Sequence, residues 1–321
     1  MIVFVLNLLR IRWINAQKLV LCMVSFMVLI WNLFKTKKIY IPSTFIKANT
    51  IKKPKKIIGQ NEKITIVCVV TNKDFLTLPN ALHFAIKAVG LNNLIGVRLI
   101  VPERHRSAVC LLLNESLPVQ IEIKTDEELM SNDQANQIKN HFGDKASWIT
   151  QQLLKFETVR SLTSNCLILD ADTLILNDQY LKVIKGIQPL TPTEEFHKPY
   201  YEFLIKISPF FVNTTNSFIP HHQIIQKDIF EEMCRFLEIS NLQNLINLCI
   251  RHADIKEVSS LCIDYELYAQ YLFRKYPSRY TLVKWSNISI PNHKFRFYSK
   301  NKFVLIILSK LYNSISFHSW S

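Results

Sequence analysis

The sequence predicts an α/β fold, a mostly parallel sheet flanked by helices, preceded by an N-terminal helix that spans a membrane or lies on it. Two observations carry this. Short apolar, β-branched runs alternate with helical patterns from Ile64 onward, and a separate apolar run at 19–34 lies between basic flanks.

The N-terminal run, LVLCMVSFMVLIWNLF, is broken only by Ser25 and Asn32. It is short against the ~20 residues a perpendicular span needs, so a tilted helix, a thinned bilayer or an interfacial helix all fit it. No small-residue cleavage site follows Trp31, which favours an uncleaved anchor over a removed signal peptide. Basic residues flank both sides, Arg10, Arg12 and Lys18 before the run and a larger lysine cluster after it. The positive-inside rule then puts the body of the protein in the cytoplasm, with a Golgi-lumenal body as the alternative in a eukaryotic cell. The competing reading is a buried helix of a soluble domain. Residues 1–18 form a tail, 19–34 the anchor, and the lysine-rich segment 35–62 a stem. The catalytic body is expected over 63–321.

The chain has 321 residues, 49% of them hydrophobic, enough to bury the core of one α/β domain of roughly 250 residues. Only five glycines are present, and neither a dinucleotide-binding nor a P-loop spacing occurs. The formal charge of +14 suits nucleic acid, anionic lipid or a phosphate-bearing substrate. Much of the excess lies beside the apolar run rather than among aromatics, and no helix-turn-helix, RNP or zinc-finger pattern accompanies it. A membrane is therefore the expected partner, and nucleic acid is not. Seven scattered cysteines without a CxxC pair read as free thiols. Three sequons, at Asn114, Asn213 and Asn287, arise readily by chance.

Within the body, Ile64–Val70 reads as a buried strand, Thr71–Asp74 as a polar loop and Leu78–Ala88 as a helix; Gly96–Pro102 and Val119–Lys124 repeat the strand signal. Ligands of such sheets bind beyond the carboxyl ends of the strands, so Thr71 and Asp74 are candidates to hold a nucleotide base or ribose. The alternative for Asp74 is a helix cap. In Trp148–Leu162, apolar positions recur at helical spacing and Gln151 and Lys155 share a face. Lys155 either meets a diphosphate or is solvated.

Cys166–Leu169 runs into Asp170-Ala-Asp172, followed by Thr173–Leu176. Two carboxylates two residues apart at a strand end are expected to point the same way and hold Mn²⁺ or Mg²⁺ against substrate phosphates. Haloacid-dehalogenase phosphatases also use DxDxT, but usually on their first strand and with a later acidic cluster that this chain lacks.

With Trp148-Ile-Thr-Gln-Gln-Leu-Leu-Lys155, Leu169-Asp-Ala-Asp172, Ser217-Phe-Ile-Pro-His-His222 and Asp264-Tyr-Glu-Leu-Tyr268 in that order, the chain resembles GT-A glycosyltransferases from about Ile64 onward. Within them it looks like a poorly characterised family of bacterial and algal enzymes. The resemblance implies a GT-A-like (Rossmann-like) sheet and a nucleotide-sugar donor held by the first half of the domain. It also implies Asp172 as the more direct metal ligand and Asp170 nearer the ribose. Ile263 departs from the pattern, where a small polar residue is expected.

Other residues complete the expected site. His221 and His222 face opposite ways if extended, and His222 is the preferred one. Asp264 and Glu266 stand about 200° apart on a helix capped by Ser260, so at most one is the general base; the resemblance favours Asp264. His318 is the available third metal ligand, since GT-A enzymes often draw one from the C-terminal part of the domain. Asp228 and Glu231 have capping-box spacing. The expected activity is metal-dependent sugar transfer from a nucleotide-sugar donor to a glycan or glycolipid acceptor. A phosphohydrolase using Asp170 and Asp172, or a membrane-tethered glycan-binding protein without turnover, are the alternatives.

Overall fold

The computed structural model describes residues 62–113, 117–177, 181–193, 196–212, 216–254 and 261–318. The expected tail, anchor and nearly all of the stem lie outside these residues, as do Ser260 and the sequons at Asn114 and Asn213. Among the described residues no helix is long and apolar enough to cross a membrane.

Ten strands are described: β1 (Ile64–Val69), β2 (Leu94–Val101), β3 (Ile121–Thr125), β4 (Asn165–Asp170), β5 (Thr173–Ile175), β6 (Gln188–Leu190), β7 (His222–Ile225), β8 (Tyr280–Leu282), β9 (Asn287–Pro291) and β10 (Ser314–His318). The central sheet runs β3-β2-β1-β4-β7. Its first four strands are mutually parallel and β7 closes the edge antiparallel to β4. The α/β class with a mostly parallel, helix-flanked sheet is therefore as expected. β1 is buried on both faces, which is why its sequence, ITIVCV, is continuously apolar rather than alternating.

Helices Leu78–Val89 and Arg106–Leu113 connect β1 to β2 and β2 to β3, as parallel neighbours require. Helix Ala146–Ser161 precedes β4 and is buried nearly all round, from Ile149 through Val159. Its polar side chains therefore need partners inside the protein. Gln152 donates to the Leu261 carbonyl and accepts from the Ile263 N–H, while Glu157 binds Arg160.

A second sheet, β5-β10-β9, follows the turn at Ala171–Asp172. The chain leaves β4, turns, and pairs Thr173 with Ser316 of the antiparallel β10. This brings the C-terminal end of the described chain back beside the Asp-Ala-Asp segment, where the Phe317 N–H donates to the Asp172 carbonyl at 2.9 Å.

Two expectations are corrected here, and the Asn287 sequon, read as a chance triplet, is located. Asp228 and Glu231 form no capping box: Gln226 is the cap position, Asp228 pairs with Arg279 and Glu231 with Lys227. Asn287 lies in β9 with its side-chain oxygen accepting from Ser314 and Ser316. The segment bearing Asp264 begins as a π-turn, Ile263–Leu267, before the α-helix Tyr268–Lys275.

Candidate functional site

The site gathers where β1 and β4 end side by side, with Val69 in register with Asp170. A cleft of about 330 Å³ opens at the carboxyl ends of β1 and β2, lined among others by Thr71, Asn72, Lys73, Arg104, His105 and Gln151. The carboxyl-end position is where open α/β sheets receive ligands. Thr71 and Gln151 both line this cleft. Asp74 is turned away from this role: its carboxylate accepts from the Thr71 N–H and hydroxyl, both at 2.8 Å, closing a capping box on the short 3₁₀ turn Asn72–Asp74. Burial raises its pKa despite those bonds.

Behind the cleft lies Lys155, one turn along the helix from Gln151. It is buried rather than solvated, and its ammonium meets Asp170 at 2.5 Å, Asp264 at 2.7 Å and the Tyr265 hydroxyl at 3.3 Å. Burial pulls its pKa down, but the two carboxylates outweigh this and hold it above the ordinary lysine value. The diphosphate partner expected for Lys155 is replaced by protein carboxylates.

Both Asp170 oxygens are engaged. One accepts from Lys155 and, at 2.6 Å, from Tyr265; the other meets His221 Nδ1 at 3.1 Å. Burial would raise the Asp170 pKa, yet Lys155 and His221 hold it well below the usual carboxylate range. For Asp264 the balance goes the other way: burial exceeds the help of Lys155, which Asp170 shares, and the pKa is raised. The other Asp264 oxygen lies 3.8 Å from the Cys262 thiol.

The turn after β4 separates the two acids of the Asp-Ala-Asp segment. Asp172 has partners of its own, its Oδ2 3.4 Å from His318 Nδ1 and its Oδ1 3.3 Å from the Thr173 hydroxyl, and the His318 ring lies 5.0 Å from that of His221. Thr77 fixes the turn by donating to the Ala171 carbonyl at 2.9 Å.

Of the histidine pair, His221 and not His222 reaches the carboxylates. His221 has φ +62°, the left-handed region, so the extended geometry assumed for the pair does not hold. His222 points into the protein, its Nδ1 2.8 Å from the Pro220 carbonyl and its ring 4.4 Å from Trp285. Burial lowers its pKa to about 4, which keeps it neutral.

Glu266 is likewise not at the reacting centre. It is fully buried and accepts from Tyr201, Ser217 and the Phe218 N–H on one oxygen and from Gln270 on the other. Burial raises its pKa against these four donors. It ties the segment before β7 to the helix after the π-turn, a structural role.

No protein-family model matches the chain, and no curated protein matches it in sequence. Solved structures similar to it include mouse xyloside xylosyltransferase 1, at 10% identity over 80% of this chain and 98% of that one, with a TM-score of 0.42. LgtC, a galactosyltransferase, is similar at 10% identity over 79% of this chain and 87% of its own, TM-score 0.42. The mannosyltransferase Ktr4p from S. cerevisiae follows at 12% identity over 73% and 71%, TM-score 0.45. Likeness this distant assigns neither substrate nor residue, and the narrower resemblance to the bacterial and algal family stays an expectation of the sequence.

Among the described residues no three His, Cys, Asp or Glu side chains form a set that encloses a metal ion. The donor chemistry nevertheless fits in part. Asp172 and His318 offer a carboxylate and an imidazole at one corner, and a hard cation takes its remaining positions from water and phosphate oxygens. Asp170 does not fit as a ligand in this arrangement, because Lys155, Tyr265 and His221 hold its oxygens.

Three contributors escaped the sequence reading. Arg104 and His105 lie in the short turn Glu103–His105 just beyond β2, and the carboxyl-end rule applied to that strand would have found them. Tyr265, adjacent to Asp264, gave no signal; it lies in the π-turn and donates to Asp170, 95 residues away.

Proposed function

We infer that this protein is a glycosyltransferase that takes a sugar from a nucleotide-sugar donor and passes it to a hydroxyl of a glycan or glycolipid. The observation that carries this reading is the convergence, beside one strand-end cleft, of a polar lining suited to a nucleotide with the Lys155–Asp170–Asp264 network and the Asp172–His318 pair.

In this reading Thr71, Lys73, Arg104 and Gln151 bind the donor nucleotide. Asp172 and His318 would hold Mn²⁺ or Mg²⁺, which supplies charge neutralisation for the diphosphate leaving group when bound. Lys155 keeps Asp170 and Asp264 in fixed positions. The acceptor hydroxyl attacks the anomeric carbon as its bond to the diphosphate breaks, and Asp264, whose raised pKa favours proton uptake, receives the proton.

Calorimetric titration of UDP, GDP and ADP into the full chain in detergent, with and without Mn²⁺, tests this. Saturable, Mn²⁺-dependent binding of one nucleotide, lost in Asp172→Ala, is expected. Failure of every nucleotide to bind under either condition, with stoichiometric trapping of beryllium fluoride instead, would move the assignment to a phosphohydrolase using Asp170.

A further inference from the structure

Sugar transfer gives no role to the two helices that precede β10, Phe295–Lys300 and Lys302–Leu311. One side of this pair is ordinary core. Phe295, Val304 and Leu308 are buried, and Phe295 packs edge-on against Phe317 of β10 at 5.0 Å. The other side is equally apolar but uncovered by described residues: Phe297 is 49% exposed, Phe303 59%, Ile306 55% and Leu311 50%. Positions 303, 306, 307 and 311 share one face by helical spacing, with Lys310 at its edge, so the second helix is largely apolar on both sides, a pattern that suits a helix with apolar surroundings on both.

Charge says what those surroundings are. From residue 267 to the C-terminus the sequence has nine Lys and Arg and no Asp or Glu. Lys294, Arg296, Lys300 and Lys310 are exposed around the apolar face. A basic rim around a shallow apolar stripe matches the surface of an anionic bilayer, whose headgroups take the cations while the side chains enter the acyl boundary. Residues 1–60 also contain no Asp or Glu, so neither that segment nor a second copy of this face complements its charge.

We propose that this helix pair docks on an anionic lipid surface, a membrane contact additional to any N-terminal anchor. The face is fixed to the site from two sides. Phe295 packs on the strand that bears His318, and Asn292, just before the first helix, donates to the carbonyl of Lys73 in the cleft lining at 3.4 Å. Docking there holds the cleft mouth at the headgroup level, where the hydroxyls of a lipid-linked acceptor lie. The lipid contact itself does not depend on the sugar-transfer reading.

The test uses the full chain with Cys22→Ser and Cys110→Ser, leaving the buried thiols, and an environment-sensitive fluorophore at Phe303→Cys, Ile306→Cys or, as a control, the exposed Leu111→Cys. Each is reconstituted in phosphatidylcholine vesicles with or without phosphatidylserine, using spin-labelled lipid as quencher. A blue shift and lipid quenching at 303 and 306 but not at 111 are expected, stronger with phosphatidylserine and reduced by Arg296→Glu with Lys300→Glu. Quenching at 303 and 306 no greater than at 111 overturns the proposal, as does quenching indifferent to phosphatidylserine. A label shielded from aqueous iodide yet out of reach of the lipid quencher also overturns it, because the cover is then protein. No nucleotide enters the measurement, so its outcome is separate from that of the titration above.

Discussion

Replacing Lys155 by Met removes one ammonium and leaves its shape. Asp264 is 6% exposed and Asp170 lies beside it, so the change strands two carboxylates with no cation between them. Removing one partner of a buried ion pair costs about 3–5 kcal/mol. For a domain of this size ~1 kcal/mol moves the melting temperature by about 2–4 °C, so Lys155→Met should melt about 6–20 °C below wild type at neutral pH. The pH dependence gives the sharper check. Burial already raises the Asp264 pKa, and without the lysine it rises further. A carboxyl whose folded pKa exceeds its unfolded value contributes stability below the unfolded pKa and loses it as pH rises through the folded one. The deficit of Lys155→Met should therefore be largest near pH 8 and shrink toward pH 5, and adding Asp264→Asn should recover part of it at pH 8. Thermal unfolding of the purified full chain, followed by intrinsic fluorescence across that range, reads both. A melt within about 2 °C of wild type throughout, or a deficit that grows toward acid, would refute the reasoning.

Asp172→Ala should weaken Mn²⁺-dependent nucleotide binding by about 100-fold or more in calorimetry while shifting the melt little, since its carboxylate has no bond to Lys155; His318→Ala should weaken it as much and also lower the melt, because the buried His318 ring packs 5.0 Å from that of His221. Glu266→Gln keeps an acceptor oxygen for its three donors and should cost about 1–3 kcal/mol in denaturant unfolding; Glu266→Ala, which orphans all four donors, should cost more. His222, held neutral with a pKa of about 4 against about 6.5 unfolded, makes the protein lose ~3 kcal/mol as pH falls between those values. In His222→Gln that part of the acid slope should vanish, and an unchanged slope in urea unfolding at pH 4 to 7 would contradict the assignment.

The elements legible in the sequence were those whose surroundings are uniform. β1 and β4 are buried on both faces, so their apolar runs could be read without knowing the fold, and Gln151 and Lys155 share a face in the helix as their spacing demands. What escaped reading depends on backbone turns. A φ of +62° at His221 exchanges the roles of His221 and His222, and nothing in Pro220-His-His announces it. The turn at Ala171–Asp172 sends two acids, adjacent but one in sequence, toward different partners. Lys155 was legible as a charge near the site but not as a buried one, because its partner Asp264 is 109 residues away. Glu266 was misassigned for the same reason: its donors come from Tyr201, Ser217 and Phe218, which no local pattern links to it.

The sharing of Lys155 between Asp170 and Asp264 also bears on the charge that ligands of the site would meet. One ammonium serves two carboxylates, and Asp172 adds a third. In the proposed reading a nucleoside diphosphate arriving alone meets these carboxylates with only Lys73 and Arg104 to offset them, and a divalent cation arriving alone finds one carboxylate and one imidazole. In that reading each ligand supplies charge the other lacks, so their affinities should rise together, and by the same factor in either order of addition. Cation and nucleotide then behave as a single thermodynamic ligand, and titrating one at increasing fixed concentrations of the other should trace the same coupling from both directions.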